Sequence, residues 1–365
     1  MPFSRQQTRA IRLGAVPIGH GAPVAVQSMT STDTRDVAAT LGQIQRLAAA
    51  GCEIVRCAVP DEEAAEAFKA ITSASPLPVV ADIHFDASLA VRAVENGAAG
   101  LRINPGNIGG ESAVRRVVDA ARAHGAPIRV GANSGSLPQD LREKFGGPCP
   151  EAIVDAALRQ VRMLEALGFD QIKVSLKSSS VLDTIAAYRA FAAVSDHPLH
   201  LGVTEAGGLL AGTVKSSVGI GALLLDGIGD TLRVSLTADP VREVEVAWHL
   251  LSACGLRRRG VEIISCPTCG RTEIDLLSLL EKAEAALAAI KAPLTVAIMG
   301  CVVNGPGEAT HADVGLAGGR GQGVIFAQGQ VIKKVPEADL LEAFMAQVRR
   351  AEEEYFRRQP TEDRT

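Results

Sequence analysis

Eight short β-branched runs, each followed by a longer helical pattern, set the tightest limit on what this chain can fold into. The runs fall at 24–29, 53–59, 78–83, 100–104, 128–132, 171–176, 200–204 and 231–236. Helical stretches follow at 34–50, 61–73, 87–96, 112–124, 153–167, 181–194, 213–225 and 240–253. Many of these stop at a glycine (Gly51, Gly97, Gly125, Gly168, Gly227, Gly255), the usual left-handed close of a last helical turn. Such alternation implies parallel strands joined by helical crossovers. Eight units in about 230 residues suit a closed (β/α)8 barrel better than an open sheet. An open doubly wound sheet would normally carry a glycine fingerprint after its first strand, and Val26-Gln27-Ser28-Met29-Thr30 has none. A hairpin at 11–18, around Gly14 and Pro17, is placed to plug the barrel floor.

After Arg257-Arg258-Arg259-Gly260 the rhythm changes. A strand at 261–265 leads to a helix at 274–290 and a strand at 294–299. Short β segments follow at 314–316, 324–327 and 331–333, and a charged helix at 337–356. The expected organisation is a barrel over 1–256 and a smaller α+β domain over 257–365, with a frayed tail after Arg357.

Composition narrows the functional classes. A 365-residue chain that is 47% hydrophobic can bury a large core without staples. A net charge of -4 gives no global attraction to nucleic acid or anionic membrane. The first ten residues lack a secretory apolar core, and the longest apolar run, near 294–303, is too short to span a bilayer. Seven cysteines in a chain without an export signal favour metal or redox chemistry over disulfides. The expectation is a soluble cytoplasmic protein.

Charge placement points to a ligand. Barrel strands buried on both faces should be nearly all apolar. Five of these runs instead carry a cation toward the C-terminal end: Arg56, Arg102, Arg129, Lys177 and Arg233. Strand ends in a barrel open onto one rim, where cations would repel unless a polyanion lies among them. Guanidinium forks suit phosphate oxygens, and a diphosphate engages several at once. Asp82, His84, Asn104, Asn133, Glu205 and Ser235 occupy comparable places, and Glu205 could position a hydroxyl or move a proton. The bland alternatives are internal salt bridges and, for His84, a hydrogen-bonded rim residue.

The second domain holds Cys266-Pro267-Thr268-Cys269 and, 32 residues on, Cys301 in Gly300-Cys301-Val302-Val303-Asn304-Gly305-Pro306-Gly307-Glu308. Each follows a predicted strand, so three sulfurs can meet at one centre. Zinc would want a fourth ligand such as Cys254, His249 or His311. An iron-sulfur cluster can leave one iron to a weaker ligand, for which Glu308 is a candidate. Cys52, Cys57 and Cys149 read as two strand residues and a loop thiol. The Gly-rich stretch 318–323 reads as a β-turn rather than a phosphate cradle, because no helix follows it.

These motifs, with His200-Leu-Gly-Val-Thr-Glu-Ala-Gly and Gly229-Asp-Thr-Leu-Arg-Val-Ser-Leu236, closely resemble those of the bacterial 4-hydroxy-3-methylbut-2-enyl diphosphate synthases over about residues 5 to 350. The short junction resembles the two-domain bacterial form. The resemblance implies a [4Fe-4S] cluster on Cys266, Cys269, Cys301 and, exchangeably, Glu308. It implies reductive opening and dehydration of 2-C-methyl-D-erythritol 2,4-cyclodiphosphate in isoprenoid precursor synthesis. Arg56, Arg102, Arg129, Lys177 and Arg233, with Asn133 and Ser235, would then hold the cyclic diphosphate, and Glu205 would be the barrel's proton-transfer group. It further implies a homodimer whose sites are completed in trans, with ferredoxin or flavodoxin as electron donor. The rival readings are a Schiff-base lyase using Lys177 beside structural zinc, and an electron carrier with the barrel as scaffold.

Overall fold

The computed structural model describes residues 4–301 and 311–358, which form two compact units, Met1–Arg257 and Arg258–Thr365. In the first, β3 (Ala25–Met29), β4 (Ile54–Ala58), β5 (Val79–Asp82), β6 (Gly100–Arg102), β7 (Ile128–Asn133), β8 (Ile172–Lys177), β9 (His200–Leu201) and β10 (Thr231–Leu232) make one parallel sheet. Its order is β8-β7-β6-β5-β4-β3-β10-β9, and the bridge Val174↔Leu199 joins the two ends into a barrel. All eight expected strands are present; the last two are only two residues long.

The crossovers are α1 (Val37–Ala50), α2 (Glu62–Ala74), α3 (Ala87–Glu95), α4 (Glu111–Ala123), α5 (Gln139–Phe145), α6 (Pro150–Ala166), α7 (Val181–Ala192), α8 (Leu209–Leu225) and α9 (Pro240–Ala253). The short α5, after a 3-10 turn at Ser134–Ser136, is an addition to the expected rhythm. Aspartates 36, 61, 86 and 239 cap α1, α2, α3 and α9 by accepting a first-turn backbone N–H, which fixes where each helix begins.

Strand periodicity separates two environments. Outward residues such as Val55, Cys57, Val79, Ala81, Val130, Val174 and Leu176 pack with the helices in one large core. The alternate positions face inward, and there the expectation of a nearly apolar strand fails. Arg129-x-Gly131-x-Asn133 and Lys173-x-Ser175-x-Lys177 present polar groups to the barrel axis, with apolar members between them. The lower interior is closed by the hairpin β1 (Ile11–Leu13) and β2 (Val16–Ile18), whose Ile11, Leu13 and Ile18 pack on Ala25, Ile54 and Val80.

The second unit is a five-stranded sheet in sequence order: β11 (Glu262–Ser265), β12 (Thr295–Met299), β13 (Val314–Gly319), β14 (Gln322–Ala327) and β15 (Gln330–Pro336). The first three are parallel and the last two antiparallel. Its core is covered by α10 (Leu276–Leu287) and α11 (Leu340–Arg358), which meet the sheet through Leu276, Leu287, Leu340, Phe344 and Val348. The Gly-rich stretch forms the β13–β14 hairpin, Gly318 opposite Gly323, in keeping with a turn. The tail beyond Arg358 lies outside the described residues.

Candidate active site

The inward cations are organised around two carboxylates. Asp82, at the end of β5, lies between its strand neighbours: Arg102 Nη1 on β6 at 3.0 Å and Arg56 Nε on β4 at 3.5 Å. His84 Nε2 is 3.6 Å from Asp82 and 2.8 Å from Arg102 Nη1, which makes it a hydrogen-bonded rim residue. Burial alone would raise the Asp82 pKa; Arg56, His84 and Arg102 outweigh it and hold the group well below the usual carboxylate range.

Glu243, in the first turn of α9, is the second carboxylate. Its oxygens accept from Arg233 Nε at 3.0 Å and Nη2 at 3.0 Å, from Ser28 Oγ at 3.0 Å and from Leu236 N at 3.1 Å. Between the two clusters lies the Met29 sulfur, which accepts from Arg56 Nη2 at 3.0 Å and Arg233 Nη1 at 3.6 Å. The internal salt bridges and the convergence of cations therefore both exist. The acids hold the guanidiniums in place without neutralising the set.

Lys177, the last residue of β8, is 8% exposed and, among the described residues, has no carboxylate within ion-pair distance. Burial first, then Arg129, Arg56, Arg233 and Arg102 push its pKa well below that of a free lysine, so it feels all four other cations. A Cβ at Gly202 would lie 2.7 Å from Lys177 Nζ, so only glycine there leaves room for the ammonium. Burial, with Arg233 and Arg102 against the pull of Asp82, brings Arg56 down to about 10.

Arg129 lies beside Arg102, its register partner. It is the second of six residues in β7, with its Nη1 donating to Ser175 Oγ at 2.7 Å, and it lines a small cavity near the floor beside Lys173. The strand is long enough that the rim position belongs to Asn133, four residues later and paired in register with Lys177. The structure thus brings Arg56, Arg102, Arg129, Arg233, Lys177 and Asn133 together, and after burial it is Arg129 that weighs most on Lys177. Half-buried Ser235 follows Arg233 by two residues.

Glu205 is exposed on the loop after β9, with φ of +52°. A bulky residue in the left-handed region costs on the order of 1 kcal/mol, and such outliers cluster at functional sites. Thr204 N donates to Ser178 O at 3.3 Å, which ties this loop to the segment just past Lys177.

In the second unit β11 and β12 run parallel with Ser265 opposite Ile298, so Cys266 and Cys301 leave the sheet at the same end. Gly300 N donates to Cys266 Sγ at 3.3 Å, and Glu273 N to Gly300 O at 3.1 Å. Cys269 is exposed, and the Arg271 N–H with the Arg271 charge lowers its pKa. A sulfur accepting a backbone N–H and a thiol biased toward thiolate suit a thiolate-bound centre. Among the described residues no group of three His, Cys, Asp or Glu is gathered tightly enough to hold a metal ion. Glu308 lies outside the described residues.

Sequence reasoning missed Glu243, Met29, Lys173 and His200 as members of the interior. Glu243 reads as an ordinary first-turn helix acid and Met29 as core. Lys173 carried a usable signal, since it shares the inward face with Ser175 and Lys177. His200 is fully buried, with Nδ1 2.8 Å from Thr231 Oγ1.

The chain matches the model of the GcpE TIM-barrel domain over residues 8–248 and that of the GcpE protein C-terminal domain over 262–350. It is 62% identical over 352 residues to the 4-hydroxy-3-methylbut-2-en-1-yl diphosphate synthase (flavodoxin) of Lawsonia intracellularis, covering 96% of this chain and 98% of that protein. The proteins of the same name from Geobacter sulfurreducens and Geobacillus thermodenitrificans are 59% and 51% identical. These matches cover 94% and 97% of this chain, and 98% and 95% of those proteins.

Proposed function

The chain belongs to the GcpE family, and from that premise we propose how its residues divide the work of the family's reaction. The enzyme forms 4-hydroxy-3-methylbut-2-enyl diphosphate, an isoprenoid precursor, by reductive ring opening and dehydration of 2-C-methyl-D-erythritol 2,4-cyclodiphosphate. The observation that carries the division of roles is the charge imbalance in the barrel. Five cations, Arg56, Arg102, Arg129, Lys177 and Arg233, share two carboxylates, Asp82 and Glu243.

The diphosphate takes the place of the missing negative charge. Arg56 and Arg102, held by Asp82, and Arg233, held by Glu243, present guanidinium donors to its oxygens, with Lys177 as a point charge between them. Asn133 and Ser235 add neutral hydrogen bonds, and Arg129, beside Arg102 in register and bonded to Ser175, is a further guanidinium donor. Because the acids fix the guanidiniums before the ligand arrives, little reorganisation remains at binding. Glu205, on its strained loop, offers a carboxylate to the substrate hydroxyls and holds the proton that leaves with the departing water.

Cys266, Cys269 and Cys301 would hold a [4Fe-4S] cluster, with Glu308 as the exchangeable fourth ligand. Bound there, the cluster would supply low-potential electrons and a Lewis-acidic iron, which no side chain of the chain can provide. The reaction consumes two electrons per substrate, and the donor is flavodoxin, as the relatives' name states for them. No helix among the described residues is long and apolar enough to cross a membrane. We assign the chain to the cytoplasm.

The working unit is a homodimer with sites completed in trans. In support, Leu210, Val214, Val218 and Leu225 form one face of α8 and are 80%, 56%, 54% and 54% exposed, with Leu182 of α7 exposed nearby.

The test is steady-state turnover of the anaerobically prepared enzyme with reduced flavodoxin. Losing one charge-assisted contact in Arg102→Met should raise KM for the cyclic diphosphate by about 10- to 100-fold. An unchanged KM would remove the barrel cations from substrate binding.

A further inference from the structure

One edge of the sheet in the second unit is open and carries charge of a single sign. Strand β15 ends the order β11-β12-β13-β14-β15, so one side of its backbone has no strand neighbour among the described residues. Val331, Ile332, Lys333 and Lys334 along it are all exposed. The two lysines are the only charged residues between positions 321 and 336, and neither is in an ion pair among the described residues. Arg320, exposed on the turn before β14, adds a third cation, its Nε 3.3 Å from Glu273. The next acids along the chain, Glu337 and Asp339, stand in the 3-10 turn that leads into α11.

Register links this edge to the cysteines. Met299 lies opposite Ala317, Ala317 opposite Val324, and Val324 opposite Lys334. Residues directly opposite on neighbouring strands share a face, and Met299, Ala317 and Val324 pack with Cys266 and Phe326 in one small apolar cluster. Lys334 is thus the exposed end of a packed row that begins beside Cys266. Three strand spacings separate Met299 from Lys334, about 14 Å. A β-bulge at Ile325 and Phe326 puts one extra residue in β15, so Val331, opposite Phe326, shares the face of Lys334 although three positions away. Lysines on an open edge commonly keep other strands from pairing with it. That task accounts for the charge and leaves the exposed Val331 and Ile332 unexplained. Apolar residues within a charged rim have the composition of a transient protein interface.

We propose that β15 is the docking edge for the electron donor, a small protein whose surface around its redox group is acidic. Lys333, Lys334 and Arg320 steer and orient its carboxylates, and Val331 and Ile332 meet the apolar patch between them. The inference rests on the cluster and flavodoxin reading above. A donor seated there has its redox group over the end of the row that leads to Cys266, a path of packed side chains rather than water. Turnover requires spent donor to leave, and a small, charge-guided contact permits that.

The test compares the wild type with Lys333→Glu/Lys334→Glu. Glutamates keep the edge charged, so an edge guard survives the change while the attraction reverses. The anaerobic full-length enzyme is assayed for Kd of oxidised bacterial flavodoxin by titration calorimetry, for KM of reduced flavodoxin, and for turnover driven by reduced methyl viologen, which needs no docking surface. At about 50 mM salt the variant should raise Kd and KM for flavodoxin at least about 10-fold, and the gap should close above about 300 mM. Viologen-driven turnover should match the wild type. Unchanged Kd and KM for flavodoxin, or an equal loss with viologen, would overturn the proposal. If the variant does not fold, the wild type decides: its KM for flavodoxin must climb with salt while viologen-driven turnover stays level, and a salt-independent KM refutes the docking charges. A wild type without viologen-driven turnover would instead count against the cluster reading, with Kd still reporting on the docking edge.

Discussion

Replacing Glu243 by glutamine tests whether an acid on a barrel helix acts on the ligand through Arg233. The carboxylate accepts four hydrogen bonds, two of them from Arg233 at 3.0 Å. An amide has one acceptor oxygen and turns an NH2 toward donors, so Arg233 keeps at most one charge-assisted bond and loses its counter-charge. A lost bond to a charged group is worth about 2 kcal/mol, and if that orientation is expressed in binding, Kd for the cyclic diphosphate rises about 30-fold. Unmet buried donors should also lower stability by about 3 kcal/mol, a Tm drop of roughly 6–12 °C for a barrel of this size. Calorimetric titration of the anaerobic, oxidised protein with substrate gives Kd for the wild type, Glu243→Gln, Arg233→Met and the double variant. With Arg233 already gone, Glu243→Gln should weaken binding less than about threefold. An equal loss in both backgrounds would show that Glu243 acts through the fold at large, and the positioning argument would fail.

In Glu308→Ala we expect iron content near that of the wild type, since three thiolates remain, and turnover reduced at least about 100-fold; near-normal turnover would remove Glu308 from the chemistry. Val214→Asp places a charge on the exposed apolar face of α8 and should convert a dimer to a folded, inactive monomer by light scattering, whereas an unchanged mass would move the interface elsewhere. Asp82 has its pKa depressed by Arg56, His84 and Arg102 against burial, so its stabilising contribution is present above about pH 4 and is lost on acidification below that. Asp82→Asn should accordingly flatten the dependence of barrel stability on pH below about 4, and an unchanged acid limb in urea titrations would contradict it.

Much of the fold was legible because it rests on local signals. Glycine stops and β-branched runs alternating with helical patterns are read within a few residues, and they gave the strands, the main helices and the floor hairpin. The inward arginines were legible because a charge in a β-branched run is conspicuous. Their partners were not. Arg102 and Arg129 look alike in sequence and are register partners, yet one is held by Asp82 and the other by Ser175. Glu243 was invisible for a related reason. A helix's first-turn acid is usually solvated, and its burial against Arg233 depends on how α9 docks on the barrel. The cysteines announced themselves by spacing, yet what brings Cys266 beside Gly300 is the parallel register of β11 and β12, a non-local fact.

The central claim is that three cysteines of the second unit hold a redox cluster for a reaction whose diphosphate is bound by barrel cations. Its most direct test is iron, sulfide and zinc per chain after purification without oxygen. About four irons with matching sulfide, lost in air and reduced in Cys266→Ser, is the predicted result. One zinc without sulfide, persisting after anaerobic reconstitution with iron and sulfide, would contradict it.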